Sequence, residues 1–443
     1  MKVLIRLLTL LALAAGSGLA GENESMARLH REIMRRFVAA DGTVLDYAEF
    51  DGRVSLPTPE ECAAGQPNAL GWWSPIENGG FFGGLYLDAL CNRWRALRTP
   101  EAAAAAHQVA GGLLKLAEAG STPGFIARGF GTDGKAHYAA SSSDQTCPWF
   151  YGMWRYATSG LADEAQRRRV IETMERVALG LEQNDWRMPA DRPGFGNFGH
   201  WSGGFAGTRG ILSGAEPQFD AAARFLFVLR ALHDLTGRAR WRELYEQALA
   251  GQPRGSELTR RQICAGGVQY VAPGESPRYP ESPPIWTSAS SQAGLRALRD
   301  LEQDAAVRAD FQRGLDANAA SAARFVAGYR RYDNANTLAF DFNWRALNSL
   351  WKPQAEIGAA VELGTLQYRA WNRQSPRRLA EAEQMRDPLF AAWIVVLSGN
   401  PALVDAARAD IAGALGHFAW EKLCTSFCFM GENVHWQLAA DAR

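Results

Sequence analysis

Two kinds of helical segment alternate along this chain, and that alternation limits its folds more than any other feature. Segments 79–94 (GGFFGGLYLDALCNRW), 148–160 (PWFYGMWRYATSG), 219–236 and 389–398 (LFAAWIVVLS) are apolar or small nearly all round. Such a helix needs cover on every side. Segments 101–119, 163–184, 239–250 and 304–328 are amphipathic. In 163–184 the apolar residues Val170, Ile171, Met174, Val177, Ala178 and Leu181 recur at intervals of three and four. A covered helix followed by a surface helix, repeated about six times, predicts an all-α fold: an (α/α)6 barrel, a double ring of helical hairpins with long loops at one end. An open α-solenoid competes, but the chain lacks the strict repeat of solenoids. Strand-like alternation is confined to 267–272 (GVQYVA).

The N-terminus, MKVLIRLLTLLALAAGSGLA, has Lys2 and Arg6, an apolar run over 7–15, and small residues ending at Ala20. Residues 1–20 read as a secretory signal peptide. The run is shorter than the ~20 residues a membrane span needs. The expectation is an exported protein, periplasmic or extracellular, with residues 21–443 forming a single catalytic domain. The 47 basic and 47 acidic residues cancel. No basic excess points to nucleic acid or an anionic membrane surface. Six cysteines are present, with Cys424 and Cys428 spaced as neighbours on one helix rather than as a bridge. No metal spacing and no nucleotide motif stand out, and no cofactor is expected. Fifteen Trp and 21 Phe fit a large aromatic core, or indole faces stacked on sugar rings.

Connections leaving a covered helix are short, at about 95–100, 160–162, 237–238 and 300–303. Those leading into one are long, at 120–147, 185–218, 251–286 and 329–353. In a double ring the long ones gather at one end, and loops of ~15 residues or more in a compact domain are usually functional. They carry Trp72, Trp73, Glu77 and Asn78; Arg128, His137, Tyr138 and Asp144; Trp186, Arg187, His200, Trp201 and Glu216; Trp286; and Asp341, Asn343, Trp344 and Arg345. Carboxylates, amides, His, Arg and Trp around one opening suit a glycan. Arg and His add recognition of a uronate carboxylate, and helix N-termini with free N–H groups favour an anion.

Asp144 has two readings, a helix cap worth ~1 kcal/mol or a catalytic carboxylate framed by Trp149 and Phe150. Glu77 is the best second carboxylate. Asp88, alone in an apolar run, is either a third candidate or the partner of Arg93 or Arg155. His200 lies in a Gly-rich loop with the character of a lid. Asp341 and Arg345 are either site residues or an ordinary ion pair.

The helix alternation, with ENGGFFGGLYLDALCNRW and SSSDQTCPWFYGMWRY, resembles the six-hairpin glycosidase superfamily, and within it the unsaturated glucuronyl hydrolases and related glucuronidases. The resemblance implies two facing aspartates on successive inner helices. Asp144 matches the second; the first falls on Asp88 or is replaced by Glu77. Unsaturated glucuronyl hydrolases hydrate a ring double bond and the glycoside collapses. Ordinary glucuronidases displace at the anomeric carbon with two carboxylates, whose separation distinguishes retention from inversion. The expected function is an exported glycoside hydrolase acting on uronic-acid-containing oligosaccharides. Asp144 donates the proton, Glu77 or Asp88 activates water, and Asn78, Arg128, His137, Trp149, His200, Trp201, Asp341, Trp344 and Arg345 bind substrate. Two alternatives stand. One is a polysaccharide lyase with His137, Tyr138 or His200 as base and Asn78 or Arg128 neutralising the uronate. The other is a non-catalytic glycan-binding protein.

Overall fold

The computed structural model describes residues 23–201, 218–253, 256–269 and 285–443. The signal-peptide reading of 1–20, and Glu216, lie outside them. The protein is mostly helical. The helices are α1 (Glu24–Glu32, prolonged by a π turn Ile33–Phe37), α2 (Pro59–Ala64), α3 (Gly79–Leu97), α4 (Pro100–Glu118), α5 (Ser143–Thr158), α6 (Glu164–Gln183), α7 (Gln218–Thr236), α8 (Ala239–Ala250), α9 (Arg260–Gly266), α10 (Ile285–Leu301), α11 (Ala305–Val326), α12 (Ile357–Gln374), α13 (Pro376–Glu381), α14 (Asp387–Leu397), α15 (Pro401–His417) and α16 (Phe429–Asp441). A two-stranded antiparallel ribbon joins β1 (Arg187–Pro189) to β2 (Asn197–His200).

The segments read as apolar all round are largely buried, although Asp234 and Gly160 in two of them are exposed, and α16, which was not among them, is buried as well. Every residue from Gly79 to Arg93 of α3, from Pro388 to Leu397 of α14 and from Phe429 to Gln437 of α16 is out of solvent. Full burial of each large apolar side chain contributes ~1.5–3 kcal/mol. The amphipathic segments cover them with one stripe. In α11 that stripe is Val307, Phe311, Gly314, Leu315, Asn318, Ala319, Ala322 and Val326, the spacing of one helical face.

The covered helices touch in cyclic order. α3 packs on α5, α5 on α7, α7 on α10, α10 on α14, α14 on α16, and α16 back on α3. Side chains fix which ends meet. At the starts, the Gln145 side chain of α5 accepts from Phe81 N of α3 (2.9 Å), and Arg224 of α7 donates to the Thr287 carbonyl of α10 (3.1 Å). The Arg386 guanidinium, just before α14, lies over Trp286 of α10 and over Phe427, just before α16. At the opposite ends, Arg95 of α3 donates to the Thr158 carbonyl of α5 (3.2 Å). Trp154 of α5 donates to Asp234 of α7 (2.9 Å), and Arg230 of α7 to the Leu301 carbonyl of α10 (2.6 Å). These six helices therefore run in one direction. Phe81, stacked with Phe390 and edge-on to Trp286, fills the space between them. α3 and α5 approach closely: a Cβ on Gly84 would meet the Pro148 carbonyl at 2.0 Å, and one on Gly152 would meet the Gly84 carbonyl at 2.4 Å. Only glycine allows that crossing.

The loop asymmetry holds where the described residues test it: residues 98–99, 159–163, 237–238 and 302–304 leave the covered helices, whereas 38–78 and 119–142 lead into them. The connection read at 329–353 is instead part of 327–386, which holds α12 and α13 before α14, and those read at 185–218 and 251–286 lie partly outside the described residues. Three local readings need correction. The second covered helix starts at Ser143, not 148, so Pro148 lies inside it. The preference of proline for a first turn yields there to Gln145, whose side chain ties the earlier turn to α3. Gly267–Gln269 is a 3-10 turn rather than a strand, residues 270–272 lying outside the described set. The real strands are in the Gly-rich loop of His200. Cys424 and Cys428 share no helix, since Cys428 ends a 3-10 turn before α16, and the six cysteines are buried and form no disulfide. No described helix is long and apolar enough to cross a membrane.

Candidate active site

The start of α3 is bound to three separate connections. Asn78 N donates to Asp46 Oδ2 (2.8 Å), Gly79 N to the Arg128 carbonyl (2.9 Å) and Phe81 N to Gln145 Oε1 (2.9 Å). Asn78 Nδ2 donates to Asp46 Oδ1 (2.5 Å), and Gln145 Nε2 to Asn78 Oδ1 (2.7 Å). Protein acceptors therefore meet these N–H groups, which corrects the expectation that this helix start offers free donors to an anion.

Glu77 stands one residue before this cap and is 8 % exposed. Its Oε2 accepts from Trp73 N (2.7 Å). Burial raises its pKa; the nearby Arg378 guanidinium, the Trp73 amide and Arg128 oppose that without cancelling it. Asp46 lies beside it, 4 % exposed. Burial and the Glu77 charge hold its pKa well above the usual carboxylate range, against the two hydrogen bonds from Asn78. Two acids this close in a dry setting keep a proton between them.

Arg128 links Glu77 to Asp144. Fully buried, it donates to the Glu77 carbonyl (2.9 Å), the Ala140 carbonyl (3.2 Å) and Ser142 Oγ (2.8 Å). The Ser142 hydroxyl in turn donates to Asp144 Oδ1. Asp144 lies in the first turn of α5, half-buried, while its neighbours Ser143 and Gln145 are buried. Ser142, not Asp144, is the N-cap. Asp144 also adds to the charge felt by Asp220, in the first turn of α7, whose pKa burial raises despite Arg224 and the hydroxyls of Ser291 and Ser288.

The ribbon covers this corner. A Cβ on Gly199 would meet Ser143 Oγ at 2.5 Å, so β2 lies against the start of α5. His200 follows, half-buried, its pKa lowered by burial and by Arg187, the residue it pairs with across the ribbon. Trp201 is fully buried against Phe150. On the other side, Trp72 is half-exposed and packs edge-on to Trp73 and against Phe198; Tyr368 of α12, 41 % exposed, lies 5.3 Å from the Trp73 ring.

Glu77, Asn78, Arg128 and Asp144 are thus brought together, with His200 and Trp201 on the covering ribbon. Other expected site residues are engaged elsewhere. Asp88 is nine residues into α3, roughly 14 Å along it, fully buried and ion-paired with Arg155. Trp149 points away from the opening, its Nε1 donating to the Leu113 carbonyl of α4 (2.7 Å). His137 pins its loop to Asp191 (3.1 Å), and Tyr138, also buried, donates to the Gln66 carbonyl (2.5 Å). Trp344 is buried with its Nε1 on the Ser55 carbonyl (2.7 Å). Arg345 pairs with Glu61 (2.5 Å), not with Asp341, which accepts from Asn343 N (2.9 Å) and Gln374 (2.8 Å). Each of these bonds holds a loop in place.

Asp46, Asp220 and Arg378 were not singled out from the sequence. Asp220 carries the same signal as Asp144, a lone acid at the start of a covered helix. Asp46 lies in the long connection 38–78, of the same kind as the connections that were searched. Arg378 had no signal; only the fold brings it to Glu77. Among the described residues no group of three or more His, Cys, Asp or Glu is arranged to hold a metal ion. Against protein-family models, curated proteins and solved structures alike, the chain finds no match.

Proposed function

We propose that this chain is an (α/α)6 barrel and an exported glycoside hydrolase acting on uronic-acid-containing oligosaccharides at the end where the covered helices begin. The cyclic contacts of six covered helices, and the outer position of α1, α4, α6, α8, α11 and α15, support the barrel. One observation carries the activity: Glu77 and Asp144, in unlike environments, both act by charge on the buried Arg128, which donates to the Glu77 main-chain carbonyl and reaches Asp144 through the Ser142 hydroxyl. Two carboxylates in unlike surroundings can take the unlike roles that general acid–base catalysis needs. The roles read from the sequence are exchanged in this proposal. Glu77, whose pKa burial raises, keeps its proton at higher pH and donates it to the leaving oxygen. Asp144, half-exposed and accepting from Ser142, activates water or stabilises positive charge on the ring. Asp88 has no part, because Arg155 occupies it. Trp72 and Tyr368 offer faces for sugar rings.

The test is release of product from 4-nitrophenyl glucuronides and from unsaturated uronyl disaccharides. Glu77→Gln and Asp144→Asn are each expected to lower kcat by about 100-fold or more, the range of a lost general acid or base. In the wild type the rate should fall as pH rises through the Glu77 pKa. Full activity in both variants overturns the assignment. A lyase reading retains one specific support, His200: its lowered pKa keeps it neutral, and it sits against the start of α5. New ultraviolet absorbance from an intact uronate polymer, lost in His200→Ala, would favour it.

A further inference from the structure

The arginines around this end differ in what they hold. Arg128 donates to the carbonyls of Glu77 and Ala140 and to Ser142. Arg345 is taken up by Glu61, Ser55 and the Leu56 carbonyl. Both are fastened to protein acceptors and have little left for a ligand. Arg378, in α13, is different. Its guanidinium carbon lies 5.1 Å from the centre of the Trp73 ring, and its charge is felt by both Asp46 and Glu77. Among the described residues its guanidinium has no hydrogen-bonding partner, and the residue is half-buried. Its neighbour Arg377, by contrast, donates to Glu381 (3.1 Å), to the Asn336 carbonyl (3.2 Å) and to the Lys422 carbonyl.

Trp73 is an unusually well-fixed support for that cation. Its φ is +71°, a left-handed conformation that a bulky side chain rarely takes. Three bonds hold it there: its N–H to Glu77 Oε2 (2.7 Å), its indole Nε1 to the Gly364 carbonyl of α12 (2.9 Å), and its own carbonyl accepting from Tyr47 Oη (2.8 Å). The main-chain bonds fix the backbone, and the indole cannot turn without breaking the bond to Gly364. A guanidinium held over a fixed indole keeps N–H donors free for a ligand, and those donors match a carboxylate in fork-to-fork geometry. Tyr368 approaches the same indole and is 41 % exposed, so the place opens to solvent.

We infer that Arg378, stacked on Trp73 beside Glu77, is the group that takes the carboxylate of a ligand sugar and makes the site select a uronate over the corresponding neutral hexoside. The inference rests on the glycan-processing reading above and adds the residue that sets its specificity. The acids beside Arg378 do not cancel it. Asp46 is turned onto Asn78 through both oxygens, and Glu77 Oε2 faces the Trp73 amide. A ligand held at Arg378 would lie next to Glu77, the acid assigned to proton donation.

The test compares binding of methyl β-D-glucuronide and methyl β-D-glucoside, which share a ring and differ in the carboxylate, by titration calorimetry at low ionic strength. The wild type is expected to prefer the glucuronide by about 10- to 100-fold, the range a hydrogen-bonded charge supplies. Arg378→Gln should erase the preference and leave glucoside binding unchanged. Arg378→Lys keeps the charge but loses the planar fork, so its preference should fall severalfold, and it carries the test where the glutamine variant does not fold. A preference that survives both substitutions overturns the assignment of Arg378 and leaves the glycan reading standing. Equal binding of the two probes by the wild type overturns the carboxylate site and also leaves that reading standing. Binding of neither probe overturns both.

Discussion

The start and the middle of α3 carry buried carboxylates in opposite circumstances. Asp88, at the middle, is fully buried and meets a cation: Arg155 pairs with it and also donates to Asn92 (2.6 Å). Burial alone would weaken the hold of Arg155 on its proton, but the Asp88 carboxylate reverses this and raises its pKa. Glu77, just before the helix, is almost as buried and meets another acid, Asp46. A chain selected only for stability would have no use for the second arrangement, since burying like charges is costly. The difference teaches that burial does not mark a site. A carboxylate whose burial is only partly offset, as that of Glu77 is by Arg378 and Arg128, does, and such groups concentrate where chemistry is done.

The largest effect should come from breaking the compensated pair. Asp88→Ala leaves Arg155 charged and alone in the core and is expected to cost ~3–5 kcal/mol in urea unfolding. Replacing Asp88 and Arg155 together with apolar residues of similar volume should recover most of it. A loss under ~1 kcal/mol for the single variant would mean that pairing does not separate Asp88 from Glu77.

Next in size is another buried acid, Glu432 of α16. It accepts from Tyr86 (3.0 Å) and meets His30 (3.1 Å). Burial would raise its pKa, but His30 and the Tyr86 hydroxyl outweigh burial and lower it. A carboxyl with a depressed folded pKa stabilises above its unfolded value of about 4.3, and the contribution is lost as pH falls through the folded value. Tyr86→Phe removes a hydrogen bond to a charged group and should cost ~1.5–3 kcal/mol at pH 7. Melts at descending pH should show that difference shrinking below about pH 4; a difference independent of pH would assign the loss to packing.

Asp46 should behave with the opposite sign. Its folded pKa is raised by burial and by Glu77, so the folded state binds more protons than the unfolded one between about pH 3.9 and the folded value. Stability therefore falls as pH rises across that window, by at most ~1.4 kcal/mol per pH unit for one proton. Asp46→Asn mimics the protonated acid, because it too can accept from only one of the two Asn78 donors, and it should flatten the slope. An unchanged slope in urea unfolding between pH 4.5 and 8.5 would remove Asp46 from the acid pair.

The helices were legible because their signal is local. Three- and four-residue spacing marked 163–184, and unbroken apolar character marked 389–398; both are helices at nearly those limits. The long connections were legible as lengths. What they hold was less so. A carboxylate, an indole or a guanidinium reads the same in sequence whether it faces a ligand or fastens a loop. Asp144 and Glu77 could be picked because a covered helix started beside them. Arg345, Asp341 and His137 met the same criterion, and their partners Glu61, Gln374 and Asp191 lie 284, 33 and 54 residues away. Such pairings are decided by packing that no window of sequence contains. Arg378 was lost for the same reason, since its importance comes from Trp73, far from it in the chain.

The smallest expected effect is the control on which the comparison depends. Arg169 of α6 and Glu118 of α4 form a forked ion pair at 2.9 Å between two outer helices, with side chains 60 % and 36 % exposed. Its geometry is as good as that of Asp88 with Arg155, and it differs in being wet. Water screens both charges and solvates whichever remains when the other is removed, so Arg169→Ala should cost only ~0.2–1 kcal/mol. The difference should fade in 1 M salt, where the screening length is about 3 Å. Asp88→Ala should be nearly indifferent to salt, because no ions reach it. Urea unfolding of both variants at low and high salt separates the cases. Equal losses with equal salt dependence would mean that an ion pair costs the same to break wherever it lies. The contrast between the start and the middle of α3 would then have no basis in burial.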